Sequence, residues 1–208
     1  MKMVKLLAAA GIVMAICFDA HAEKITPFMF SIYPKKYLQM PDSDYSVYGL
    51  HLAPGIGFAK NVTGVQIGGI FAYAINSVGG VQVGGVAGAE EISGLQVGGL
   101  FAYTEETLGI QIAGLMAASK EMSGIQVGFS SLAKEVTFGV QLGVINKAEM
   151  RGGIQIGPVN IADAKAGIQI GFVNYANKQS DNCIQIGFVN WLGANDTLKA
   201  LPFFNCRF

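Results

Sequence analysis

Along most of the chain, apolar side chains alternate with glycine and glutamine in one short pattern that returns again and again. It reads Gly64-Val-Gln-Ile-Gly68, Gly80-Val-Gln-Val-Gly84, Gly94-Leu-Gln-Val-Gly98, Gly109-Ile-Gln-Ile-Ala113, Gly124-Ile-Gln-Val-Gly128 and Gly139-Val-Gln-Leu-Gly143, with further copies from Gly153, Gly167 and Cys183. The central glutamines are Gln66, Gln82, Gln96, Gln111, Gln126, Gln141, Gln155, Gln169 and Gln185, at successive gaps of 16, 14, 15, 15, 15, 14, 14 and 16 residues. A fixed period of this kind marks a repeated structural unit. Glycine two positions before and after nearly every glutamine disfavours helix. Strict alternation with Val and Ile between predicts strand.

Alternate residues separate two faces. One face of a unit is Ile92, Gly94, Gln96, Gly98 and Leu100; the other is Ser93, Leu95, Val97, Gly99, Phe101 and Tyr103. Nearly all charge falls between the strand patterns, as in Ala89-Glu-Glu91, Thr104-Glu-Glu106, Ser119-Lys-Glu121 and Lys134-Glu135. These segments are expected to be turns, because length variation also falls there. His51, in Gly49-Leu-His-Leu52, stands fifteen residues before Gln66 and takes the glutamine slot of a degenerate copy. It reads as a ladder member rather than a ligand or base.

The expected fold is all-β, and two architectures compete. The preferred one is an up-and-down antiparallel β-barrel of about 12 strands, one strand per 14–16-residue repeat. The motif is nearly palindromic about its glutamine, which suits antiparallel neighbours in which glutamine meets glutamine. The nine glutamines would then line a lumen and the aliphatic residues would face lipid. The alternative is a β-solenoid with one coil per repeat. Equal repeats favour it, as do Asn146, Asn160, Asn174 and Asn190, each five residues after its glutamine, and Pro158 after Gly157. Against it, a coil of this length has little interior in which to hide so many apolar residues.

Composition narrows the class. The chain has 208 residues, no net charge and only 13% charged residues, so no basic field invites nucleic acid. Residues 1–22 have the order of a secretory signal peptide: Lys2 and Lys5, thirteen residues from Leu6 to Phe18, then Ala20-His-Ala22, with cleavage expected after Ala22. Residues 23–208 read as one β-repeat domain: N-terminal strands and a loop over 23–61, tandem repeats over 62–192, and a C-terminal strand over 193–208. Two cysteines remain after cleavage, Cys183 and Cys206, in an oxidising compartment. A last hairpin turning near Ala194-Asn195 would put them opposite each other as a possible disulfide. That pairing would turn Phe208 inward, in conflict with a lipid-facing terminal aromatic.

Three octets, Gly153-Ile-Gln-Ile-Gly-Pro-Val-Asn160, Gly167-Ile-Gln-Ile-Gly-Phe-Val-Asn174 and Cys183-Ile-Gln-Ile-Gly-Phe-Val-Asn190, carry a resemblance. They are similar to the repeats of the bacterial surface-repeat family of exported proteins and lipoproteins. Thr26-Pro-Phe-Met-Phe-Ser-Ile-Tyr-Pro34 and Leu201-Pro-Phe-Phe-Asn-Cys-Arg-Phe208 add to it. Early units depart from the pattern, with Phe71-Ala72 or Met116-Ala117 in place of the apolar-Asn step. The resemblance implies a place in the cell envelope and no enzymatic reaction.

No metal-ligand spacing, activated nucleophile or phosphate loop is present. Gly79-Gly-Val-Gln-Val-Gly84 lacks the helix that a nucleotide loop requires. No catalytic residue, cofactor or metal is therefore expected. Phe71, Tyr73, Phe101, Tyr103, Tyr175 and Trp191 form either an interfacial aromatic belt or ordinary strand packing. The functional expectation is a non-enzymatic protein of the bacterial outer membrane or cell surface, with membrane lipid as its partner. As a barrel it would be a structural element or narrow pore. As a solenoid it would present a flat glutamine-rich surface, a surface-exposed binding or adhesion module with an unidentified surface ligand.

Overall fold

A computed structural model of the chain describes residues 23–32, 39–40, 43–150, 152–163, 167–177, 183–193 and 199–207. The expected signal peptide, its cleavage point after Ala22, the turn near Ala194 and Phe208 lie outside these residues. Among the described residues fourteen strands are defined: β1 (Ile25–Ser31), β2 (Gln39–Met40), β3 (Ser46–Ala53), β4 (Ile56–Ala59), β5 (Val62–Gly68), β6 (Phe71–Ala113), β7 (Met116–Val127), β8 (Ser130–Leu142), β9 (Ile145–Met150), β10 (Ile154–Ile156), β11 (Val159–Ala162), β12 (Ile168–Ala176), β13 (Cys183–Leu192) and β14 (Ala200–Arg207).

The strands pair in parallel, so the chain is a β-solenoid and not the antiparallel barrel. Gln66 lies opposite Gln82, Gln111 opposite Gln126, Gln126 opposite Gln141 and Gln169 opposite Gln185. Each repeat climbs one coil and sets every residue on its own counterpart, which is why the period is conserved to within a residue or two. Antiparallel pairing is confined to the two ends, β1 with β2 and β13 with β14.

The near-palindrome about each glutamine misled because its two glycines have different tasks. The first stacks on the same residue of the preceding coil. Gly64 has φ 133° and Gly109 has φ 137°, a region closed to most side chains. A Cβ at either would collide with a carbonyl oxygen below, that of Gly49 or Gly94. The second glycine turns the coil from one wall into the next. It too stacks on its counterpart, since a Cβ on Gly171 would sit 2.0 Å from the carbonyl oxygen of Gly157 and 2.5 Å from Nδ2 of Asn160, and one on Gly187 would sit 2.0 Å from Gly171 O and 2.6 Å from Nδ2 of Asn174.

Each coil has two walls and a charged return. The first wall carries the glutamines, the second carries the Asn or Ala column, and the return carries the glutamates and lysines. The segments expected to be turns continue as strand: β6 runs unbroken through Glu90-Glu91 and Glu105-Glu106. Glu106, Glu121, Glu135 and Glu149 stack in register across four coils.

The interior is small and mixed. Columns of small apolar residues fill it, such as Ala59, Ala74 and Ala89, with Val47, Val62, Val78 and Ile92 beside them. Met29, Ile92, Met122 and Leu192 are large apolar side chains inside, and most of the other large aliphatic and aromatic residues point outwards.

Candidate functional site

All nine glutamines are fully buried, side by side on the inner face of the first wall. Their amides form one continuous chain of hydrogen bonds. Gln82 Nε2 donates to Gln66 Oε1, Gln96 to Gln82, Gln111 to Gln96 and Gln126 to Gln111, each at 2.8 Å. Gln141 donates to Gln126 at 2.9 Å; Gln155, Gln169 and Gln185 continue the series at 2.8 Å. Most of the Nε2 atoms also reach across their own coil to a carbonyl of the opposite wall, such as Tyr73, Tyr103, Leu132, Ile161 or Trp191, whereas Gln141 reaches Ser131 of the preceding coil. One side chain thus joins a coil to its neighbour and clamps its own two walls. No lumen is left for the glutamines to line.

His51 takes the slot expected of it, opposite Gln66. Its Nδ1 accepts from Gln66 Nε2 at 3.0 Å, so the ring proton is on Nε2, which donates to Ser31 Oγ at 2.9 Å. Burial pushes its pKa down to about 4, and the imidazole stays neutral. A proton on Nδ1 would set two donors against each other. His51 and Ser31 therefore terminate the ladder at its N-terminal end. Ser31 could not be found from sequence, because the loop between β1 and β3 breaks the period.

The second wall carries a shorter ladder of the opposite sense. Asn146 Nδ2 donates to Asn160 Oδ1, Asn160 to Asn174 and Asn174 to Asn190, each at 2.8 Å. Nδ2 of Asn160 also reaches the carbonyls of Gly157 and Ile170, at 2.9 and 3.0 Å. Among the described residues, the buried side-chain atoms without a partner are Ser119 Oγ, Asn146 Oδ1 and Gln185 Oε1. The last two are the acceptor ends of the two ladders.

Cys183 and Cys206 are both free. The last hairpin exists, but its register is one residue away from the one that would oppose them. Cys183 lies opposite Arg207 and Cys206 opposite Ile184. A slip of one residue puts the two thiols on opposite faces of the sheet. Cys183 is buried inside, where desolvation pushes its thiol up to about 12, a poor nucleophile. The same register turns Phe204 outwards, which removes the conflict between disulfide and outward aromatic.

The outer surface is the reverse of the interior. Ile67, Ile112, Ile156, Ile170 and Ile186 project from the first wall. At the corner between the walls a ridge of larger residues stands out further: Leu100, Leu115, Phe129, Phe172, Phe188 and Phe203. Leu115 N donates to Leu100 O at 2.9 Å, so these residues stack coil on coil. Phe172 and Phe188 stack with centroids 5.1 Å apart, and Phe203 continues the column at 6.0 Å. Phe203 does so from an antiparallel strand, through a bulge at which its φ is 67°. Tyr73, Tyr103, Tyr175 and Trp191 lie part-way along the second wall, between ridge and charged return.

A shallow groove of about 480 Å³ runs along the return, lined by Glu91, Glu106, Glu121, Thr63, Ser77 and Ser123 among others. Lys120 pairs with Glu105 there. Among the described residues, no group of three His, Cys, Asp or Glu side chains is placed to hold a metal ion. Compared with known proteins, the chain matches no family model, no curated protein and no solved structure.

Proposed function

We propose that this chain is an exported, non-enzymatic β-solenoid of the bacterial cell envelope, acting as a binding module through its outer walls. One observation carries the reading. The polar side chains that could do chemistry or line a channel are buried and paired with one another, whereas the large apolar residues face out. A soluble enzyme or transport channel needs the opposite arrangement around its site. Contiguous exposed apolar surface marks interaction with a protein or membrane. The order of residues 1–22 and the likeness of the octets to bacterial surface repeats support the same location.

Fractionation of cells producing the full chain, followed by protease treatment of intact cells, tests this. The expected result is recovery with the envelope and cleavage from outside. Recovery of the chain in the soluble fraction would overturn the proposal.

A further inference from the structure

We infer that the ridge between the two walls seats the solenoid lengthwise on a lipid bilayer, half-immersed, with the charged return facing water. This rests on the envelope reading above and names the partner within it.

Polarity is graded around the coil. The ridge is strongly exposed and apolar, with Leu100 51% exposed, Phe172 61% and Phe203 69%; at the far edge of the first wall, next to the return, Leu108 and Phe138 are also exposed. Aliphatic residues follow on the first wall. On the second wall come Tyr73, Tyr103, Tyr175 and Trp191, each with a polar atom on its ring, in a column that also holds Ala118, Leu132, Lys147 and Ile161. Glu91, Glu106, Glu121 and Glu135 lie at the far side. Apolar body, amphipathic aromatic belt and charge, in that order, reproduce the profile of a membrane interface. The ladder's nine glutamines set the length of the ridge at about 40 Å by the strand spacing.

Shape selects lipid over a second copy. A flat partner covers one wall, but here the apolar surface turns a convex corner and continues on the other wall. A deformable phase covers both at once. Among the described residues no basic side chain stands on the first wall beside the ridge, and the second wall carries one, Lys147, in the column of Tyr175 and Trp191. Binding is therefore driven by apolar burial and takes a neutral, zwitterionic surface as readily as an anionic one.

Trp191 is the one tryptophan of the chain and lies on the second wall, so it reports contact directly. The full chain is mixed with phosphatidylcholine vesicles, with and without phosphatidylglycerol. Trp191 emission should shift to the blue and be quenched by acyl-brominated phosphatidylcholine, equally in both compositions and in high salt. The variant Leu100→Ser/Phe129→Ser/Phe172→Ser should bind vesicles about a hundredfold more weakly, with its circular dichroism unchanged. If it does not fold, Phe188→Ser alone should still weaken binding measurably. Glu106→Gln/Glu121→Gln should bind as the parent does.

Trp191 emission that ignores vesicles, in a chain that fractionates with the envelope, would overturn the lipid inference and leave the envelope reading standing. A dimer by light scattering, with Trp191 shielded before lipid is added, would overturn it in favour of a second copy. Equal binding by parent and ridge variants would overturn it as well.

Discussion

The two halves of the solenoid share the glutamine ladder and differ in what faces it. From β5 to β7 the second wall holds Ala72, Ala102 and Ala117, an apolar filling with no hydrogen bonds to offer. From β9 to β13 the same column holds Asn146, Asn160, Asn174 and Asn190, with Ser131 at the junction. The corner residue is glycine in both halves, Gly68 and Gly98 before Ala72 and Ala102 as well as Gly157, Gly171 and Gly187 before the asparagines, and Ala113 is an exception. What a corner Cβ would meet differs: the carbonyl oxygen of Phe101 at Gly98, but the Asn160 amide as well as a carbonyl oxygen at Gly171.

The sense of the hydrogen bonds differs too. Glutamine amides donate toward the N-terminus and asparagine amides toward the C-terminus, so in the second half two lines of amide dipoles run in opposition. The first half has one line, uncompensated. Buried amide chains polarise along their length and are costly when broken.

The comparison can be broken most severely at the ladder common to both halves. Gln126→Ala should leave Gln111 Oε1 without its donor and Gln141 Nε2 without its acceptor, and open a cavity. A loss of about 4 kcal/mol in denaturant unfolding is expected. The corner position comes next. Gly171→Ala should cost about 3 kcal/mol by overpacking against the Gly157 carbonyl oxygen and the Asn160 amide, whereas Ala113→Gly should cost about 1 kcal/mol or less. Equal thermal shifts for the two would show that the corner contact carries no such cost.

The N-terminal end of the ladder is sensitive to pH. The folded pKa of His51 is held below its ordinary value of 6.5, at about 4. The unfolded chain therefore binds a proton between these values before the folded chain does, and stability falls as pH drops through that window. The loss approaches about 3 kcal/mol near the lower limit and is absent above the upper one. His51→Gln should flatten this dependence in thermal melts between pH 4 and 7. A smaller effect than at the first ladder belongs to the second. Asn160→Ala should cost about 2 kcal/mol. Ala117→Asn should destabilise to a similar degree, and adding Ala113→Gly should recover part of it in a double-mutant cycle.

Much of this was legible in the chain. The period, the strand assignment and His51 as a ladder member all follow from alternation and spacing. The glutamines are expected inside only for a barrel; a solenoid is expected to present them on a flat outer surface, and instead all nine are buried. The sign of the strand pairing was not legible, because Gly-apolar-Gln-apolar-Gly looks the same from either end. Only the backbone separates its glycines, one at positive φ under a neighbouring carbonyl, one at a corner. The objection that a short coil cannot hide residues such as Leu100, Val173 and Trp191 was physically sound. They are not hidden, and that exposure is what points to a partner. The cysteine register escaped because a bulge between Gly187 and Asn190 shifts the hairpin within itself, and spacing does not report a bulge.

A parallel in-register stack is open at both ends, and each coil is a template for the next. β14 breaks the template. It runs antiparallel to β13 and sets Asn205, not another glutamine, opposite Gln185. It also carries Pro202, which lacks a backbone N–H, next to the bulged Phe203. A strand of this kind is a poor seed for a further chain. The last eight residues of the sheet thus act as a stop codon written in backbone geometry: they fix the coil number and keep a glutamine-rich stack from growing into a fibril.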